Sequence, residues 1–256
     1  MEWLTTEDGK YRIESLSAAT VPGALRVIKE SFCQDETVCI GTGINKNEQA
    51  AEELLELCAD VALDGVSLVA VHVETGEVAA AALNKLQAAT TDSSEKPFFE
   101  IFAAERCTQP ASRALIQFMA DVDARCNFFG QFGGADCCLE IMFLATLQTH
   151  RHRKLAQLLC EVSIEVTKRL KDGPVSVLTV KDLGEKYASI PQREAVNKIP
   201  KFCSALWTGT PTQKIGKALG FQVYLRIPFT EFSYDGKTYS ERVGADVWCE
   251  AAGILV

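Results

Sequence analysis

Residues 139–147 read LEIMFLATL, an almost unbroken apolar run. Such a run suits a strand covered on both faces, as in the middle of a layered α/β sheet. It feeds through a short turn into Leu155, Leu158, Leu159, Val162, Val166 and Leu170, which recur at the spacing of an amphipathic helix. Asp172-Gly173-Pro174 ends that pattern. A buried strand, a tight turn and a helix therefore follow one another in the chain.

The turn holds His150-Arg151-His152-Arg153-Lys154, five residues that are basic or can become so, in a chain of net charge -8. A helix start already carries about half a positive charge, so cations there cost a few tenths of a kcal/mol each. An anion at the turn would reverse that sign, and free N–H groups at a helix start bind phosphate. The 147–157 turn is thus expected to hold a phosphate or diphosphate. The alternatives are a solvated basic turn without a ligand and a short nuclear-targeting patch. No Walker phosphate loop and no G-x-G-x-x-G fingerprint occurs.

The other segments alternate in kind. Tyr11 to Leu16 reads as a strand, and a helix follows Pro22 through Leu25, Ile28 and Phe32. Residues 33–47, with Gly41 and Gly43, read as a loop, and Ala51 to Val61 as a second helix. Two strand-like runs flank Glu74-Thr75-Gly76-Glu77, a hairpin signal. Ala88 to Pro97 is turn-rich, Ala111 to Cys126 helical, and Asn127 to Asp136 a glycine-rich loop. Val175 to Val180 reads as a strand, 181–201 as a polar loop and Ser204 to Trp207 as a short apolar run. Thr212 to Leu219 is a helix stopped by Gly220, and Phe221 to Ile227 a strand. Asp235-Gly236 closes a hairpin, and Asp246 to Val256 is the last strand. This order predicts one α/β layer domain over residues 1–256.

With 47% hydrophobic residues the chain can build a large core, and its acidity argues against nucleic-acid binding. No apolar run of 18 residues and no apolar N-terminal segment occurs, so neither a membrane span nor a signal peptide is expected. Ten cysteines without C-x-x-C, and only three histidines, suggest reduced core thiols rather than a metal site.

Leu144-Ala145-Thr146 followed by Arg151-His152-Arg153-Lys154-Leu155-Ala156 resembles motif A of the GCN5-related N-acetyltransferases, Q/R-x-x-G-x-G/A after a hydrophobic strand. Glu30-Ser31-Phe32 with Asp35-Glu36, LNKLQ at 83–87, IGKALGF at 215–221 and FSYDGKTYSER at 232–242 resemble the insect arylalkylamine N-acetyltransferase branch. The resemblance spans nearly the whole chain. It implies a mixed central β-sheet flanked by helices on both faces. It also implies acetyl-CoA as co-substrate without a metal, and a primary amine such as dopamine, tryptamine or serotonin as acceptor. Agmatine, polyamines, histamine, or CoA binding with little catalysis are the alternatives. A monomer in the cytoplasm is expected, with no nucleic-acid or membrane partner.

The same resemblance assigns roles. Leu144, Ala145 and Thr146 would hold the pantetheine arm, and the backbone from Arg151 through His152, Arg153, Lys154 and Leu155 to Ala156 the diphosphate. Glu36 would be the base, acting through water, with Thr208 and Thr212 near substrate and thiolate. The family pattern is departed from at three places: Lys154 stands for glycine, Thr37 for proline after Glu36, and Gly216 for a tyrosine acid. Thr212 also reads as a helix N-cap. Phe32, Phe143, Phe202 and Trp207 are candidate pocket walls, His72 a packing residue and Cys203 a core thiol.

Overall fold

The computed structural model describes residues 1–89, 98–193, 196–245 and 247–256. Among these the strands are β1 (Glu2–Thr5), β2 (Tyr11–Ser15), β3 (Leu68–His72), β4 (Val78–Ala88), β5 (Cys137–Thr146), β6 (Phe202–Trp207), β7 (Gln222–Pro228), β8 (Ser233–Tyr234), β9 (Lys237–Thr238) and β10 (Trp248–Leu255). The helices are α1 (Val21–Val27), α2 (Cys33–Asp35), α3 (Thr37–Thr42), α4 (Glu48–Ala62), α5 (Phe98–Glu105), α6 (Pro110–Cys126), α7 (Phe128–Gln131), α8 (Leu155–Arg169), α9 (Thr210–Ala218) and α10 (Tyr239–Val243).

Eight strands form a mixed sheet in the order β1-β2-β3-β4-β5-β6-β10-β7, and β8–β9 make a separate hairpin. Among the described residues only β5 and β6 pair in parallel, joined across α8, as a strand–helix–strand crossover requires. Two cores cover the sheet. One face packs α1, α4 and α6 through residues such as Val27, Leu54 and Phe118, and the other packs α8 through Leu155, Leu159 and Val166. The LEIMFLATL run is the shared wall: Phe143 lies in the first core, Leu139 and Ile141 in the second.

Two irregularities shape the centre of the sheet. Leu83 pairs with Phe143 but Asn84 with Ile141, so Met142 is an extra residue on β5. Such a bulge bends the strand and shifts the phase of its side chains. Parallel pairing with β6 then stops at Ile141↔Ala205. The far halves of β5 and β6 diverge, and a cleft opens between them.

Several expectations are corrected. Residues 33–47 are helical, through α2, α3 and a 3-10 turn at Ile44–Lys46. The glycines there break nothing. A Cβ on Gly41 would sit 2.7 Å from the Tyr239 ring, so glycine permits that close packing. Gly43, at φ 78°, caps α3. Val175 to Val180 forms no strand: β6 is already paired on both sides by β5 and β10, and Val177 is 77% exposed. The 127–136 loop contains the single turn α7, and β1 and α5 appear without a readable sequence signal. Residues 90–97 of the expected turn, and Asp246, lie outside the described residues.

A cleft between diverging strands as the candidate active site

A cleft of about 70 Å³ lies where β5 and β6 part. Its walls are apolar, built from Phe32, Leu115, Phe118, Met119, Phe143, Leu144 and Trp207, with Glu36, Glu140, Thr208 and Thr212 as the polar points. The π-helical turn Ile28–Phe32 that continues α1 turns Phe32 to this wall, edge-on to Phe143 at 5.3 Å. Phe202, expected here, is instead fully buried and stacked on Phe132 at 4.1 Å.

Glu36 joins the two sides of the cleft. Its backbone caps α3 and one carboxylate oxygen accepts from the Cys39 N–H at 2.8 Å. The other oxygen accepts from the Thr208 hydroxyl at 2.6 Å, just past the end of β6. The carboxylate is therefore aimed by a helix start from one side and a strand end from the other. Thr37 occupies the first position of α3, where proline is equally suited, so the missing proline leaves this geometry intact. Thr212 shares the cleft but is not the N-cap of α9. Gly209 holds that place, and the Thr212 hydroxyl donates to the Gly209 carbonyl at 2.9 Å.

Trp207 explains Gly216. A Cβ at 216 would meet the indole nitrogen at 2.3 Å and two further indole carbons within 3 Å. The indole occupies the space that a larger residue on α9 would need, and its N–H is buried without a partner among the described residues. We expect Gly216→Ala to lower stability by about 1–2 kcal/mol in urea denaturation, since overpacking outweighs the gain in helix propensity. Unchanged or higher stability would show that the indole moves aside freely.

At the basic turn, the strand end and helix start assemble as expected but the side chains divide. Arg151 does not face outward. It donates to the Thr146 carbonyl at 3.2 Å and the Ser31 hydroxyl at 2.8 Å, and pairs with Asp35. Its own N–H is used by the Gln148 carbonyl. His150 bridges the Tyr11 hydroxyl and Glu77, at 2.8 and 3.1 Å. Arg153 lies over the Tyr11 ring at 5.9 Å. His152 and Lys154 are exposed and both left-handed, at φ 63° and 60°. For a side-chain-bearing residue that conformation costs roughly 1–2 kcal/mol. The family's glycine preference at position 154 thus has a backbone reason, and lysine adopts the same shape.

That shape leaves donors free. Among the described residues, the N–H groups of His152 through Gln157 make no hydrogen bond within the chain. The Thr146 hydroxyl, beside them at the strand end, is buried and also lacks a partner. Leu144 lines the cleft, whereas the side chains of Ala145 and Leu155 are core and offer only their backbones. Sequence reading missed Glu140, a buried carboxyl in the cleft wall, because it is one polar letter inside the apolar run. All ten cysteines are buried and free, and burial pushes the Cys203 thiol up to about 12, so it is not a nucleophile. Among the described residues no cluster of histidine, cysteine and carboxylate side chains could hold a metal, and no helix is long and apolar enough to cross a membrane.

A scan of family models and a search of curated proteins find no match for the chain. Solved structures do match. The chain shares its fold with solved insect arylalkylamine N-acetyltransferases. Arylalkylamine N-acetyltransferase 2 from Aedes aegypti aligns with TM-score 0.70 at 18% identity, over 96% of this chain and 98% of that one. The mosquito arylalkylamine N-acetyltransferase-like 5b gives 0.71 at 13%, over 96% and 100%. A Drosophila melanogaster polyamine N-acetyltransferase, which forms N-acetylagmatine, gives 0.68 at 16%, over 96% and 100%.

Proposed function

We propose that the protein is an acetyl-CoA-dependent N-acetyltransferase that acetylates a primary amine by direct transfer in a ternary complex. The observation that carries this reading is the joint geometry of one corner. A run of free N–H groups at the start of α8 opens beside a cleft, and the cleft holds an oriented carboxylate. Such N–H runs favour phosphate anions. The free donors at 152–157 and the orphan Thr146 hydroxyl fit a diphosphate and its attached arm.

Acetyl-CoA would supply the activated acyl group. The His152–Gln157 backbone would hold its diphosphate, and the diverging half of β5 near Leu144 would lie along the arm. Glu36, fixed by Cys39 and Thr208, would take the ammonium proton directly or through water, as a general base must. Gly216 leaves α9 without a tyrosine acid, so Thr212 or water would serve the departing thiolate. The aromatic wall of Phe32, Phe118 and Phe143 suits the apolar body of an arylalkylamine such as dopamine, tryptamine or serotonin.

Release of free thiol from acetyl-CoA, followed with a disulfide dye across a panel of amines, tests this. Amine-dependent release is expected, and its absence with every amine would remove the proposal. CoA-induced thermal stabilisation without release would leave a CoA-binding protein. The side chains at the turn make a second expectation. Arg153→Glu should weaken CoA roughly tenfold at low salt, and less as salt screens the charge. Arg151→Glu should also loosen the Glu36 segment, because it removes the tie to Ser31 and Asp35. Equal CoA affinity in Arg153→Glu and the parent chain would deny the side chain any part in anion holding.

A further inference from the structure

β7 is the last strand of the sheet, and its two faces are unlike. Ala251 pairs with Leu225 but Ala252 with Val223, so Tyr224 is an extra residue on β7. The bulge lets Tyr224, Leu225 and Ile227 all join the first core, with Phe128 and Phe132 against the Tyr224 ring. The opposite face carries Val223 and Arg226, matched in register by Ala252 and Glu250 of β10. α9 packs on that face through Ile215 and Leu219, beside Trp207 and Phe221. Between α9 and β7 a groove of about 350 Å³ remains. Volumes of this order hold small organic ligands.

The floor of the groove is apolar, made by Trp207, Phe221, Val223 and Ala252. Trp207 and Phe221 are buried and meet edge-on at 5.3 Å, so this floor is fixed. The rim is cationic. Thr210, Gln213, Lys214 and Lys217 recur at the spacing of one helix face and line the α9 side. The Gln213 amide is already spent on the carbonyls of Trp207 and Trp248, at 3.3 and 2.9 Å. Arg226 is spent on Glu250, and the same Glu250 oxygen accepts from the Trp248 indole at 3.1 Å. Lys214 and Lys217 are exposed and pair with nothing among the described residues. With Arg226 offsetting Glu250, the groove keeps two uncompensated positive charges in a chain of net charge -8.

We propose that this groove is a second ligand site, for a small carboxylic acid with a flat apolar body. The body would lie on the floor of Trp207 and Phe221, and the carboxylate between Lys214 and Lys217. A cationic ligand would meet two unpaired lysines, and a neutral one would leave both unanswered. A polyphosphate would leave the apolar floor unused. The amine cleft has the opposite character: Glu36 and Glu140 line it and no basic residue does. The two sites therefore sort ligands by charge, although Trp207 lines both. This goes beyond the acetyl-transfer reading and does not depend on it.

The test is calorimetric titration of the full chain with indole-3-acetate and, as its uncharged match in shape, indole-3-acetamide. The acid is expected to bind about fivefold tighter or more at low salt, the margin of one or two exposed charge pairs, and the gap should shrink at high salt. Lys214→Glu combined with Lys217→Glu should erase the preference. Val223→Asp should abolish binding of the acid and spare the fold, because Val223 is 41% exposed on an edge strand. No binding of the acid, equal affinity for acid and amide, or a preference that survives the paired lysine changes would each overturn the proposal. The titration is repeated in saturating CoA. Unchanged affinity for the acid supports a separate site, whereas displacement by CoA gives the groove to the co-substrate and overturns it. Amine-dependent thiol release is read in a different assay, so failure here and failure of the transferase reading are told apart.

Discussion

Glu36→Gln is expected to lower kcat/KM for amine acetylation by a factor of about 10²–10⁴, the usual worth of a positioned general base. The amide can still accept from the Cys39 N–H, so the cap on α3 survives and the fold is spared. CoA affinity should change less than about twofold, because the Glu36 carboxylate is bonded to Cys39 and Thr208 and not to the turn at 152–157. Glu36→Ala should lose activity as well and, in addition, about 1 kcal/mol of stability from the missing cap. Measuring kcat/KM at saturating acetyl-CoA, with CoA affinity alongside, separates the two roles of the one carboxylate. Full turnover in Glu36→Gln would leave it a cap and nothing more.

The second large effect is one of pH. Glu140 holds its proton up to about 7 in the folded protein, chiefly through burial, whereas the unfolded chain loses it in the ordinary glutamate range near 4.5. Between those values the native state binds more protons than the unfolded state, so stability falls as pH rises through that window. A raise of this size corresponds to something on the order of 3 kcal/mol, reached above pH 7. Replacement by Gln removes the ionisable group and keeps the shape. Melting temperatures of Glu140→Gln and the parent chain should therefore coincide near pH 4.5. By pH 8 the variant should melt several degrees higher. A difference independent of pH would mean that Glu140 titrates in the fold as it does in the unfolded chain.

The alternation of apolar and polar letters was enough to place the central strand, the helix after it and the turn between them, because periodicity depends on which faces are buried and not on where the neighbours come from. Glu36, Thr208 and Thr212 were singled out by family resemblance, and the fold brings all three to one cleft. Local sequence failed where a residue answers to a distant partner. The helicity of 33–47 follows from Gly41 closing against Tyr239, nearly two hundred residues away in the chain. Arg151 looked like an anion ligand because its neighbours are basic, yet it is taken by Ser31 and Asp35, more than a hundred residues away in the chain.

What the sequence determined alone was the layered α/β plan and the position of a basic turn between strand and helix, since both arise from short-range spacing and charge. What only the tertiary structure decided was the working surface. The extra residue at Met142 and the end of parallel pairing at Ile141 open the cleft, and both depend on how β5 meets β4 and β6. The left-handed backbone at His152 and Lys154 frees the donors, although neither residue type announces that conformation. Lys85, directly opposite Glu140 in register, is drawn away to Asp64. Strand pairing and the competition of buried charges for partners are set by contacts between segments far apart in the chain, which no local window contains.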